Sequence, residues 1–155
     1  MKTYTIKEGK HYCKGLHFGV TSTVQKFKFR FNTNCLYDET QVIPGWNKLY
    51  GWASLNNHKN SVRLAWRCEK GKLIVGYYCY VKGVRIDGDL IEVEPGVWYD
   101  AECSEVNRQF VCRVETNYKV INGAKKPCIA FINRFYFGGN STAPHTMNLD
   151  IEKLN

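Results

Sequence analysis

Two neighbouring segments, SVRLAWRC (61–68) and LIVGYYCYV (73–81), carry side chains suited to holding a ligand. Arg63 and Arg67 alternate along the first, and Tyr78 and Tyr80 along the second. A guanidinium is a planar fork of donors that matches an acidic sugar or an acidic protein surface. A tyrosine ring offers a flat face for sugar C–H groups and a hydroxyl for hydrogen bonding. Gly76 leaves room between them. The same residues also suit a solvated sheet face on which arginine stems lie against tyrosine rings. Just upstream, WNKLYGWASLNNHKN (46–60) adds Trp46, Trp52, Asn56, Asn57 and His58. At least one of these tryptophans is expected in the core, whereas His58 falls in a loop, where binding residues concentrate.

Bond cleavage asks for different groups. Glycoside hydrolysis places two carboxylates across a cleft, and the nearest fragments are IEVE (91–94), with Glu92 and Glu94, and LDIE (149–152), with Asp150 and Glu152. Neither fragment has a third acid. A nucleophile elbow, a phosphate-binding glycine loop and a paired set of metal ligands are all missing from the sequence. The expectation is a non-catalytic protein that uses no cofactor and no metal.

The elements that position these residues read as strands. In QKFKFRF (25–31), Phe27, Phe29 and Phe31 alternate with Lys26, Lys28 and Arg30, so one face is apolar and the other basic. The basic face is expected to be solvated, because nucleic-acid binding asks for exposed aromatics among the cations. The 61–68 and 73–81 segments, joined at Lys70-Gly71, fit a two-residue hairpin that sets Trp66 across from Val75 and Leu64 across from Tyr77. Further strands are expected at 3–6, 12–18, 49–53, 90–93, 97–104, 109–115, 119–121, 129–137 and 146–154. Turn signals separate them at Lys82-Gly83, Asp87-Gly88, Pro95-Gly96, Asn107 and Asn122-Gly123. Only short helical turns fit, the best within 39–48. The fold class is all-β, an antiparallel sandwich or barrel, with residues 1–155 forming a single domain.

A chain of 155 residues with 10 Tyr, 8 Phe and 4 Trp has enough apolar mass for a core without covalent staples. Its net charge of +8 favours acidic partners. The seven cysteines are odd in number and lack C-x-x-C spacing, and several alternate with apolar residues, Cys68, Cys79, Cys103 and Cys112 among them. They are expected to be reduced and to fill core positions. The opening MKTYTIKEGK has no apolar stretch of the signal-peptide kind, and no run is long enough to span a membrane.

Near the C-terminus a strand-like segment ends in YFGGNSTAPH (136–145), followed by the strand-like NLDIEKL. This ending resembles that of concanavalin A-like jelly-roll domains, in their laminin-G-like and glucanase-like branches. The segment LYGWASLNNHKNSVRLAWRCEKGKLIVGYYCYVKGVR (49–85) is similar to a pattern found in gut Bacteroidetes proteins and their phages. The resemblance covers nearly the whole chain. It implies two packed antiparallel sheets with a shallow groove on a concave side, where relatives place aromatics, Asn, His and Arg. On that basis the glycan- or partner-binding candidates are Arg63, Arg67, Tyr78, Tyr80, His58, Trp46 and Asn140. Gly138 and Gly139 are expected to turn the corner, with Asn140 touching ligand only if it borders the groove. The Glu-x-Asp-x-Glu strand of the glucanase branch is not matched by IEVE or LDIE, and the lyase motifs are absent. The expected function is therefore a structural or adhesive module, decorating the capsid or tail of a phage virion assembled in the host cytoplasm. Its partners would be surface glycan or other virion proteins, or further copies of itself as a homo-oligomer, with neither membrane nor nucleic acid involved. A divergent glycan-cleaving enzyme and a free-standing lectin are the alternatives.

Overall fold

The computed structural model describes residues 1–13, 19–56 and 58–154. Its strands are β1 (Lys2–Ile6), β2 (Val20–Thr21), β3 (Val24–Phe31), β4 (Asn47–Ala53), β5 (Asn60–Glu69), β6 (Lys72–Val81), β7 (Val84–Val93), β8 (Tyr99–Val106), β9 (Gln109–Val114), β10 (Asn117–Asn122), β11 (Ala130–Asn133) and β12 (Met147–Leu154). They form two antiparallel six-stranded sheets that pack as a sandwich. The first has the order β1-β12-β3-β8-β9-β10 and the second β2-β11-β4-β5-β6-β7. Short 3-10 turns at Thr33–Cys35 and Glu39–Gln41 are the helical elements among the described residues.

The period-two pattern explains the layers. Phe27, Phe29 and Phe31 are fully buried, while Lys28 and Arg30 on the opposite face of β3 pair with Asp100 and Asp150. The basic stripe read from the sequence is thus one row of a mixed-charge ladder. Rings from the two sheets meet between the layers: Phe27 packs on Tyr50 at 4.7 Å, Phe31 on Trp66 at 5.1 Å and Phe110 on Trp52 at 5.6 Å between centroids. Tilted and edge-on ring pairs of this kind add to the burial of their area. Six cysteines are buried as free thiols and Cys128 is exposed.

The hairpin between β5 and β6 has the expected register, with Trp66 opposite Val75, Leu64 opposite Tyr77 and Ala65 opposite Gly76. Lys70 and Gly71 both have positive φ, 51° and 75°, as the two-residue turn that matches strand twist requires. One expected turn is overturned. Asp87-Gly88 lies inside β7, where Asp87 pairs with Tyr78 and Gly88 with Tyr77. A Cβ at Gly88 would come within 2.5 Å of the Tyr77 hydroxyl, so this glycine makes room for a ring and does not bend the chain. The segment expected as one strand over 129–137 is β11 followed by a single bridge at Tyr136, which pairs with both Tyr12 and Lys48. Of the strand expected at 12–18, residues 14–18 lie outside the described residues, and Tyr12 and Cys13 form isolated bridges.

Candidate binding face on the second sheet

The outer face of the second sheet is built row by row from its register. One row runs Phe131, Ala53, Ser61, Tyr80, Arg85, and another runs Lys48, Ala65, Gly76, Asp89. Between them Gly51 pairs with Arg63, and Tyr78 pairs with Asp87. The centre of the face therefore carries Gly, Ala and Ser, over which the longer side chains lie. A bulge between Lys48 and Tyr50 lets Leu49 and Tyr50 both face the core while Lys48 stays on the outer side.

Three cations converge on Tyr78. Lys48 Nζ sits 3.6 Å from the ring centroid, Arg63 Cζ 5.5 Å and Arg85 Cζ 5.8 Å. Lys48 also donates to the Trp46 carbonyl at 3.0 Å, and Arg63 to the Ser61 hydroxyl at 2.9 Å. Arg85 pairs with Asp87 at 2.7 Å. Arg63 is only 5% exposed, lying against the Tyr78 ring and the Ser61 hydroxyl. Burial, with the neighbouring charges of Arg63 and Arg85, pushes the Lys48 amine down to about 7. Burial together with the Tyr80 hydroxyl raises Tyr78, so its phenol stays protonated and its ring remains a neutral platform. Tyr80 packs edge-on against His58 at 5.2 Å and against Tyr78 at 5.8 Å.

Trp46 and Arg67 close one end. The Arg67 guanidinium stacks 4.3 Å from the Trp46 ring, grips Asp89 through two bonds of 2.6 and 3.0 Å, and bonds Glu69. Those carboxylates raise Arg67, with the Asp89 hydrogen bond foremost. Trp46 Nε1 donates to Asp87 at 3.3 Å. The ring tip of Trp46 rests where a Cβ on Gly76 would stand, 2.5 Å away.

Six of the seven residues singled out from the sequence are thus assembled by these contacts: Arg63, Arg67, Tyr78, Tyr80, His58 and Trp46. Asn140 is not among them. It is exposed in a loop whose neighbours serve the corner: Gly138 N–H donates to Asn47 Oδ1 at 2.8 Å, Ser141 Oγ accepts from Ile43 N–H at 2.8 Å, and Ala143 N–H donates to the Lys10 carbonyl at 3.0 Å. The segment before the loop reaches the sheet at Tyr136, the bridge partner of Lys48. Trp52 and Trp66 are core residues. Asn57 lies outside the described residues.

Sequence reasoning missed Lys48, Arg85, Asp87 and Asp89. The alternation in VRIDGD carried the signal for the last three, but the Asp-Gly pair masked it as a turn. Asp87 and Asp89 share the outer face, and a bulge opposite Val75 and Gly76 brings Glu92 onto the same side. This row is nearer to an alternating-acid pattern than IEVE is. Each of its members is held by a cation: Asp87 by Arg85, Asp89 by Arg67 and Glu92 by Lys72 at 2.9 Å. Asp150 lies on the other sheet, bonded to Thr3 at 2.6 Å and to Arg30 at 2.7 Å. Among the described residues, no group of three or more His, Cys, Asp or Glu side chains is placed to hold a metal ion. No protein-family model matches the sequence, and no curated protein matches it.

Proposed function

We propose that this chain is a non-enzymatic attachment module whose second sheet presents its outer face to an anionic ligand, with an acidic glycan as the favoured class. The observation that carries this reading is the convergence of Lys48, Arg63 and Arg85 on the ring of Tyr78. A carboxylate or sulfate approaching Tyr78 gains charge-assisted hydrogen bonds from guanidiniums already held in place. A sugar ring beside it finds Tyr80 and Trp46 for stacking. The jelly-roll identity of the concanavalin A-like kind belongs to the same proposal. It is supported by a strand order in which first and last strands pair in one sheet while β4 to β7 run consecutively in the other. A phage virion surface, where the module would bind surface glycan or neighbouring virion proteins, is the setting we propose on the strength of the sequence resemblance.

The test is an array of acidic and neutral glycans probed with the wild type, Arg85→Ala and Tyr78→Ala. Selective retention of acidic glycans, weakened roughly tenfold or more by either variant, is expected, since a charged hydrogen bond contributes about 1.5–3 kcal/mol. Equal binding of acidic and neutral sugars, or variants that bind like the wild type, would refute the assignment.

A glycan-cleaving reading has one observation in its favour, the row Asp87, Asp89 and Glu92 on β7. Against it, hydrolysis needs one carboxyl kept as a proton donor by an apolar setting, and all three are salt-bridged on an edge strand. Oligosaccharide breakdown that disappears in Asp87→Asn, Asp89→Asn or Glu92→Gln would restore that reading.

A further inference from the structure

A second feature adjoins that face at Phe131 and includes none of the cations around Tyr78. The β4–β5 loop and the β10–β11 connection enclose a groove of about 490 Å³, within the range of small-ligand and peptide-side-chain sites. Its apolar lining is Leu55, Pro127, Ile129 and Phe131, and Lys59, Lys125 and Lys126 line it too. The two walls are tied by a hydrogen bond from the Asn60 side-chain amide to the Lys125 carbonyl.

Two properties bear on what the groove would hold. Leu55 is 90% and Ile129 51% exposed, a pairing of large aliphatic side chains at one spot that a solvated surface does not require. The three lysines also face no acid. Lys28, Arg30, Arg67, Lys72, Arg85 and Arg113 are each ion-paired, whereas Lys59, Lys125 and Lys126 are within ion-pair distance of no carboxylate among the described residues. The groove lining contains no Asp or Glu.

We propose that this groove docks an acidic peptide segment of a partner protein, with an aliphatic or aromatic side chain seated against Leu55 and Ile129 and flanking carboxylates meeting Lys59, Lys125 and Lys126. The charge matches an acidic segment and repels a basic one. The apolar lining supplies the anchor on which peptide docking depends. An alkyl carboxylate fits less well, because walls as open as Leu55 and Ile129 leave most of a long chain in water. A nucleic acid finds no aromatic row on which bases could stack.

Backbone amide shifts of the isotope-labelled chain, followed during peptide titration, test the proposal. The probe is an eight-residue peptide of alternating glutamate and leucine. One control replaces its leucines by serine, a second replaces its glutamates by lysine, and dodecanoate is titrated separately. Saturable shifts at Leu55, Lys125 and Ile129 are expected with the probe. The double variant Lys125→Glu with Lys126→Glu should weaken binding at least about tenfold. Both lysines are exposed, so its melting temperature should stay near that of the wild type. Equal binding of the serine control would reduce the site to unselective charge attraction, and equal affinity for dodecanoate would make it a lipid site. Shifts confined to the Tyr78 face, or no saturable binding, would also overturn the proposal. A failure of the acidic-glycan array leaves these outcomes unaffected, so the two readings fall separately.

Discussion

Lys48 concentrates the electrostatics of the proposed binding face in one side chain. Its ammonium is wedged between the Tyr78 ring and the Trp46 carbonyl, and burial lowers its pKa from 10.5 to about 7. Between those values the unfolded chain carries a proton there that the folded chain does not, so Lys48 makes stability rise with pH across that window. Lys48→Met removes the contribution. The wild type should therefore gain on the variant by on the order of 1–3 kcal/mol between about pH 6 and about pH 9 in paired denaturant titrations. A stability difference independent of pH would show that Lys48 is freely solvated. Asp150 behaves in the opposite sense on the first sheet. Burial opposes its charge, but the Thr3 hydroxyl and the Arg30 guanidinium outweigh it and hold the carboxyl below its ordinary 3.8. That stabilisation is present above the ordinary value and is lost as pH falls through the depressed native one. Asp150→Asn should cost about 1–3 kcal/mol at neutral pH and flatten the acid limb of the stability curve; an unchanged acid limb would contradict this.

At the scale of elements, the β5–β6 hairpin and the β6–β7 pair decide the shape of the face. Gly76 stands where a Cβ would lie 2.1 Å from the Gly88 carbonyl oxygen and 2.5 Å from Trp46. Gly76→Ala must therefore shift backbone or eject the indole. A loss of about 2–4 kcal/mol, with a change in tryptophan emission, is expected on chemical unfolding. Lys70 occupies a left-handed turn position at φ 51°, where asparagine is tolerated better. Lys70→Asn should stabilise the hairpin by about 0.5 kcal/mol, read as a raised melting temperature. Most elements were legible because alternation with Phe, Trp and Val is strong and local. What was hidden had distant causes. Gly88 reads as a turn until Tyr77 is seen across from it, and the two-residue strand β2 has too few residues to show a period. Tyr136 leaves its expected strand because its partners, Lys48 and Tyr12, come from two other places in the chain.

Across the whole molecule, the sandwich is joined by side chains that alternate inward from both sheets. The fully buried Phe29 packs against Phe31 at 5.6 Å and Tyr99 at 5.6 Å. Phe29→Ala should cost about 3–5 kcal/mol by leaving a cavity between the layers. The Cys79 and Cys112 thiols meet there from opposite sheets at 3.6 Å, filling space as small apolar groups. Part of the candidate face was visible in the sequence, since a fixed hairpin register places Arg63, Arg67, Tyr78 and Tyr80 on one side. The rest depended on which strands flank that hairpin. Lys48 joins from β4 only because a bulge changes its phase, and Arg85 joins from β7, whose first half was hidden by the turn-like Asp87-Gly88 pair. The most direct test of the central claim is amide shift mapping during titration with an acidic oligosaccharide such as an oligogalacturonate. Saturable shifts clustered on β4 to β7 around Lys48, Arg63, Tyr78 and Arg85 are predicted, with the β3, β8 and β12 strands unaffected. Shifts centred on the first sheet, or none at saturating sugar, would contradict the account.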